Sequence, residues 1–382
     1  MNDARSKGLL PDGLRDGLPP DAAHEAAILN RLVATFTERG YERVDPPLVE
    51  FEDGLLDGAG EDVALATFRL MDPVSQRMMG IRADMTPQVG RIAATRLVNA
   101  PRPLRLAYAG PVLRVRGDQL RPERQFHEAG AELIGAEEAS ADVEVILLAA
   151  TALNAVGVER LSIDINLPTL TPAVFETLGF DDETTERARL ALDRKDAAGV
   201  TEVGGDAAQL LSGLLAAAGP AGEALSALRE LDLDGAAAEI RDWLETVVAG
   251  IREVDPDLVL TVDPVEHRGF EYHTGLSFTL FARGVRGSLG RGGRYAAGGN
   301  GEPATGFTLF LDSILRAAPA PPSPRRVYLP HGSSEADGER LRTECWVTVA
   351  GLAPADDPEA EARRLGCNHL FCDGDAVALE KG

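Results

Sequence analysis

Cysteine is scarce in this chain. Its 382 residues hold three, at positions 345, 367 and 372. An odd, sparse count argues against a disulfide-built fold and fits a reducing cytoplasm. Positive charge is also short: 38 Lys and Arg stand against 61 Asp and Glu, a net charge of −23. Such a chain has no cationic excess with which to displace counterions, so broad contact with nucleic acid is disfavoured. Long apolar runs are missing too, so no membrane span is expected, and the first ten residues hold no apolar core of signal-peptide length. Cys367-Asn-His-Leu-Phe-Cys372 brings Cys367, His369 and Cys372 together. The spacing fits no standard zinc motif and lacks a fourth ligand. We expect no metal and no cofactor.

What is present is ordinary for a globular protein of two or three domains: 44% apolar and 26% charged residues. Residues 1–20, rich in Gly, Pro and Asp, read as an irregular lead-in. Asp21 can cap a helix from about Ala22 to Arg39, which Gly40 ends. Tyr41–Val49 reads as a strand interrupted by Pro46-Pro47, which places it at an edge or an interface because proline cannot donate to a ladder. Strands are expected at Thr67–Met71, Met78–Ile81, Leu104–Val115, Phe126–Ile134 and Leu161–Ile165, with helices at Pro87–Val98 and Ala139–Val156 among them. Residues 170–254 carry a helical period and read as a helical insertion. Strands return at Leu258–Val262, Gly275–Phe281 and Gly287–Leu289, and a last helix starts near Thr308. Residues 319–324 form a Pro-rich linker, and 325–382 a small C-terminal α/β segment. Strands and helices without regular alternation favour an α+β core, 21–169 and 255–318, around an antiparallel sheet of six or seven strands.

Four segments carry residue types suited to one small polar ligand. Arg82-Ala-Asp-Met-Thr-Pro87 offers the Asp84 carboxylate and the Thr86 hydroxyl, with Thr86 read as N-cap and Pro87 as the first helical residue. Arg114 precedes Arg124-Gln-Phe-His-Glu128 and Glu132 across a polar turn, and Arg114, Gln125 and Glu132 are read as facing one side of the sheet. His267–Gly275 compresses Arg268, Tyr272 and His273 into one turn. Gly290-Arg-Gly-Gly-Arg-Tyr295 and Gly306 let the backbone approach a ligand closely.

In this order, and behind Pro46-Pro47, these segments resemble the catalytic domain of histidyl-tRNA synthetases over roughly residues 8–318. The resemblance implies a class II aminoacyl-tRNA synthetase-like antiparallel sheet flanked by helices. It implies histidine-binding roles for Asp84, Thr86, Arg114, Gln125, Glu132, Arg268, Tyr272 and His273. A carboxylate would take the ammonium, an arginine the carboxylate, and Glu132 or Tyr272 the imidazole. The chain departs from that pattern where nucleotide is handled. Ser313 follows Asp312 where an arginine holds the ATP triphosphate, Arg116 replaces an acid, and Phe310 a glycine. His273 stands for a tyrosine and Asp84 for a glutamate. Residues 325–382 are too short for the usual anticodon-binding domain. A hydroxyl cannot fork onto a phosphate as a guanidinium does.

Those losses are similar to the synthetase-like regulatory subunits of short-form ATP phosphoribosyltransferases. That resemblance implies a subunit without catalysis of its own, cytoplasmic, a self-dimer within a hetero-oligomer, a hetero-octamer by count, with the short catalytic subunit. L-histidine would be its effector, in the first step of histidine biosynthesis. Dimerisation would run through the first helix and the Pro46-Pro47 strand, with no tRNA and no membrane as partner. The rivals are an active histidyl-tRNA synthetase, and a repurposed synthetase-like enzyme or sensor.

Overall fold

The structure, a computed structural model, describes residues 8–56, 61–117, 121–266, 272–299, 301–321 and 323–380. It divides into two units, Met1–Pro319 and Ala320–Gly382. In the first, a helix Asp21–Glu38 leads into β1 (Glu42–Arg43) and β2 (Val49–Phe51). β3 (Phe68–Met71) and β4 (Met78–Ile81) precede a helix Thr86–Thr95, followed by β5 (Leu104–Leu113) and β6 (Gln125–Ile134). A helix Ala139–Ala155 and β7 (Leu161–Asn166) lead into six α-helices and a short 3-10 helix (Gly205–Ala207), from Leu170–Leu178 to Gly235–Val254, interrupted by the two-residue β8 (Gly219–Pro220). β9 (Val259–Asp263), β10 (His273–Ala282), β11 (Gly290–Ala297), β12 (Glu302–Phe310) and a helix Leu311–Ala317 complete the unit.

Nine strands form one sheet in the order β1-β5-β6-β12-β11-β10-β7-β9-β8. This corrects the expected six or seven antiparallel strands. Two pairs are parallel, β1 with β5 and β7 with β9. The second follows from the helical insertion: parallel neighbours need a long crossover, and residues 170–254 supply it. The edge strands β1 and β8 are two residues each, too short to carry a sequence period.

The expected strand Tyr41–Val49 is split instead at its prolines. β1 lies at the sheet edge, and β2 joins a separate three-stranded sheet, β2-β4-β3. The proline carbonyls between them are used as acceptors: Arg82 Nη1 donates to Pro46 O at 2.7 Å and Gln88 Nε2 to Pro47 O at 2.7 Å. Arg82 is buried, and burial lowers its basicity. A second correction falls at Thr308, which lies inside β12; the helix starts three residues later, at Leu311.

The large sheet has two unlike faces. Odd-numbered residues of β6 and β12, among them Ala129, Ala131, Leu133, Phe307 and Leu309, pack with Phe36 and Leu153 of the flanking helices. Even-numbered Phe126, Ile134, Ala304 and Phe310 pack with Tyr108, Met85 and Val89. Three small residues in the middle of β6 (Ala129, Gly130 and Ala131) allow close approach on both sides.

The second unit is a four-stranded sheet. Its strands are β13 (Arg326–Leu329), β14 (Val347–Ala350), β15 (His369–Cys372) and β16 (Asp375–Ala378), in the order β14-β13-β15-β16. β13 runs parallel to β14 and β15, whereas β15 and β16 form a hairpin. The helices Glu335–Thr343 and Pro358–Arg364 are capped by Ser334 and Asp357. Cys367 is buried, Cys345 and Cys372 are exposed, and all three are free thiols.

Candidate functional site

The site lies on the even-numbered face of β5, β6 and β12. Glu132, at the β6 end of the network, is buried. Its Oε1 accepts from the Tyr108 phenol of β5 at 3.2 Å, and its Oε2 from the Tyr295 phenol of β11 at 2.9 Å. Glu132 stands opposite Gly306 of β12. A Cβ at 306 would overlap the Glu132 carboxylate, so glycine there makes room for an acid. Burial pushes Glu132 up to about 8, opposed by the two phenol bonds. The phenols of Tyr108 and Tyr295 are raised well above their ordinary value, first by the same burial and then by the Glu132 charge.

Thr86 joins this network. Its hydroxyl is 3.2 Å from Tyr108 Oη and 3.4 Å from Thr308 Oγ1, and those two lie 2.7 Å apart. This corrects the capping assignment. The helix starts at Thr86 itself, after Met85, with no side-chain cap. The Asp84 carboxylate accepts from the Thr86 backbone N–H at 2.8 Å, which leaves the threonine hydroxyl for the pocket.

Four residues along β6 from Glu132, Glu128 is buried on the same face. Arg114 Nη2 reaches its Oε1 at 3.1 Å, while Arg114 Nε donates to Ala83 O at 3.2 Å, tying the arginine to the Asp84 loop. Burial, then the charge of Asp84, pushes Glu128 up to about 8 against the pull of Arg114, Arg291 and Arg121. Its second oxygen, Oε2, is buried with no hydrogen-bond partner among the described residues, an arrangement that a folded protein tolerates where a ligand will supply one.

His273 enters as the first residue of β10, and Tyr272 from the turn just before it. The Tyr272 ring lies 4.0 Å from that of His273 and 6.5 Å from that of Tyr295. The imidazole packs on Gly293, where a Cβ would come within 2.6 Å of its Cδ2. Tyr272 keeps 43% of its surface exposed, whereas His273 is buried.

The structure therefore gathers Asp84, Thr86, Arg114, Glu132, Tyr272 and His273 around one network. It does not bring in Gln125, which is exposed at the first position of β6. Gln125 and Glu132 are seven positions apart, an odd interval, so the two face opposite sides of a strand. The side chain next on Gln125's face, His127, contacts Glu25 of the first helix at 2.7 Å. Glu128 takes the place assigned to Gln125. Arg268 lies outside the described residues. Tyr108, Glu128, Tyr295 and Thr308 were missed as site residues; counting in twos from Glu132 would have found Glu128, whereas the others need the strand pairing.

Where the phosphate-holding arginine was expected, Ser313 is buried and its Oγ accepts from Arg316 Nη2 at 2.9 Å. Arg316 also reaches Asp312 at 3.5 Å. Among the described residues, no group of three or more His, Cys, Asp or Glu is placed to hold a metal ion. No described helix is long and apolar enough to cross a membrane. The arrangement is one of recognition: paired phenols, hydroxyls and near-neutral carboxylates that a ligand's N–H groups can satisfy.

Residues 13–314 match the family model described as histidyl-tRNA synthetase. The chain is 59% identical to an ATP phosphoribosyltransferase regulatory subunit of Rhodospirillum centenum, over 97% of this chain and 96% of that one. It is 58% identical, over the whole of both chains, to the protein of the same name from Paramagnetospirillum magneticum. Among solved structures it resembles an ATP phosphoribosyltransferase regulatory subunit/histidyl-tRNA synthetase from Bacillus halodurans C. The TM-score is 0.79 at 23% identity, covering 93% of this chain and 96% of that one. It also resembles the ATP phosphoribosyl transferase (HisG:HisZ) complex from Thermotoga maritima, with a TM-score of 0.60 at 17% identity, covering 75% and 97%. At these identities the two structures speak for the fold, which is the class II synthetase fold.

Proposed function

The chain belongs to the family of ATP phosphoribosyltransferase regulatory subunits, within the wider histidyl-tRNA synthetase family, and we propose that it activates the short-form catalytic subunit and conveys histidine feedback to it. The observation that carries this reading is whole-length identity of 58–59% to regulatory subunits of that name. It supports a regulatory, synthetase-like subunit of histidine biosynthesis over an active synthetase. Its setting is the cytoplasm, as a self-dimer within a hetero-octamer with the catalytic subunit.

The effector in this reading is L-histidine, held by the pocket on the even face of β6. Asp84 and Glu132 take the cationic groups, Arg114 takes the carboxylate, and Thr86, Tyr272 and His273 shape the remainder. Arg114 has room for a second carboxylate as long as Glu128 stays protonated, which its burial favours below about pH 8. Allosteric coupling of about 1–3 kcal/mol between this pocket and the partner's catalytic site is the usual range. Aminoacylation is not expected. Ser313 is engaged by Arg316, and the Ser313→Arg variant should show no histidine-dependent pyrophosphate exchange with ATP.

The test is co-purification with the short catalytic subunit, followed by a phosphoribosyltransferase assay with and without histidine. Activation on mixing and inhibition by histidine are expected; no activation overturns the reading. Calorimetric titration with histidine then addresses the pocket. Glu132→Ala should abolish binding and Gln125→Ala should keep it, and equal binding by the two variants would contradict the assignment.

A further inference from the structure

β6 and β12 pair so that Gly306 stands opposite Glu132, Thr308 opposite Gly130 and Phe310 opposite Glu128. Their even-numbered side chains form a track running from Glu132 through Glu128 to Phe126. Six residues at about 3.3 Å each make it about 20 Å long. The first part is polar and holds the carboxylates and Arg114. The far part is aromatic: the Phe126 and Phe310 rings meet edge to face, with centroids 6.3 Å apart.

That aromatic end is already covered. The Arg121 guanidinium sits 3.9 Å above the Phe310 ring and 5.8 Å from Phe126, while Arg114 lies 4.9 Å from Phe126. A separation of 3.9 Å is van der Waals contact between flat groups, so Arg121 occupies the ring face that a planar ligand would need. Its charge also favours the ionised forms of Glu128 and Asp312.

We propose that the Arg121–Phe310 stack is the length stop of the pocket: it closes the track beyond Arg114, so that the site takes a free α-amino acid and refuses one extended from its carboxyl group by a flat aromatic ring. A free amino acid spans the polar part only, from Glu132 to Arg114. A carboxyl substituent would continue along the strands into the volume that Arg121 fills. The identity of the amino acid rests on the histidine reading above; the stop rests on the geometry alone.

The test uses the full chain and two probes, L-histidine and L-histidine β-naphthylamide, in calorimetric titrations. Wild type should bind histidine at least about tenfold more tightly than the naphthylamide. Arg121→Ala should narrow that ratio by about tenfold through tighter binding of the naphthylamide, with histidine affinity changed less than about threefold. Arg121→Lys keeps the charge near Glu128 and Asp312 but not the flat cover, guards against misfolding, and should narrow the ratio in the same direction. An unchanged ratio in both variants, or a wild type that binds the probes equally, overturns the stop. Naphthylamide binding by Arg121→Ala with no histidine binding by any chain would overturn the histidine reading and keep the stop. Binding of neither probe to any chain would overturn both.

Discussion

The two faces of the nine-stranded sheet are made by alternate residues of the same strands, and each buries an acid against an arginine, Asp142 with Arg294 on one and Glu128 with Arg114 on the other. On the helix face, Arg294 of β11 is bonded to Asp142 at 3.1 Å, to Ala136 O at 2.8 Å and to Glu138 O at 3.0 Å. The Trp243 indole N–H adds a bond to the same Asp142 oxygen at 2.9 Å. That charge is paired inside the fold and ties the sheet to the helices Ala139–Ala155 and Gly235–Val254. On the pocket face, Glu128 and Glu132 are both pushed up to about 8 by burial, and Glu128 keeps an unpartnered oxygen. Asp142 too is pushed up by burial and has an oxygen, Oδ1, unpartnered among the described residues, so the faces differ in how many fixed partners hold the arginine and its acid, not in whether burial penalises the charge.

Arg294→Met tests the comparison hardest. It would leave Asp142 buried without its cation, at a cost of about 3–5 kcal/mol in urea unfolding. Histidine affinity of the protein that remains folded should be unchanged, because Arg294 faces away from the pocket. Adding Asp142→Leu should restore much of the loss, since an apolar pair can replace a buried ion pair. A histidine affinity that fell with the stability would show that the two faces are not separable.

Gly306→Ala attacks the other face. The new methyl would collide with the Glu132 carboxylate and also come within 2.7 Å of Ala131 O. Overpacking of this kind costs about 1–3 kcal/mol, less than the ion-pair loss. Here histidine binding should disappear, because the carboxylate is displaced. Retained binding in titration would mean that Glu132 is not the anchor.

A smaller effect separates the faces by pH. The folded-state values of Glu128 and Glu132 lie above the ordinary 4.5, at about 8. Between these limits the folded chain holds protons that the unfolded chain has lost. Stability should therefore fall as pH rises from about 4.5 to 8 and level off above it. The loss from either residue should be on the order of 2 kcal/mol. Glu132→Gln should flatten part of the slope in denaturant titrations at successive pH values. A slope identical to wild type would place the titrating groups elsewhere.

The same alternation explains what could be seen in the chain and what could not. The helical period of residues 170–254 is strong, and helices occupy that stretch. The parallel pairing of β7 with β9, which those helices bridge, depends on contacts between residues about a hundred positions apart and leaves no local trace. Glu132 stood out as an acid inside an apolar strand. Gln125 was assigned to its face although an odd interval divides them, and Glu128 was passed over although an even one joins them. Thr86 was read from capping preference, but Asp84 binds the backbone first. Thr308 reads as a helix start, because nothing nearby in sequence shows that its hydroxyl meets Tyr108, 200 residues earlier and two strands across the sheet.

The finest test is Tyr295→Phe, which removes one phenol from Glu132 and nothing else. With the carboxyl protonated, below about pH 7, the lost bond is between neutral groups and should cost about 0.5–1.5 kcal/mol. Above about pH 9 the bond is to a carboxylate, and the cost should rise toward about 1.5–3 kcal/mol. A cost that grows with pH in denaturant titrations would mark Glu132 as the group whose charge is held back on the pocket face. A cost independent of pH would mean that the Tyr295 phenol serves packing there rather than the Glu132 carboxylate.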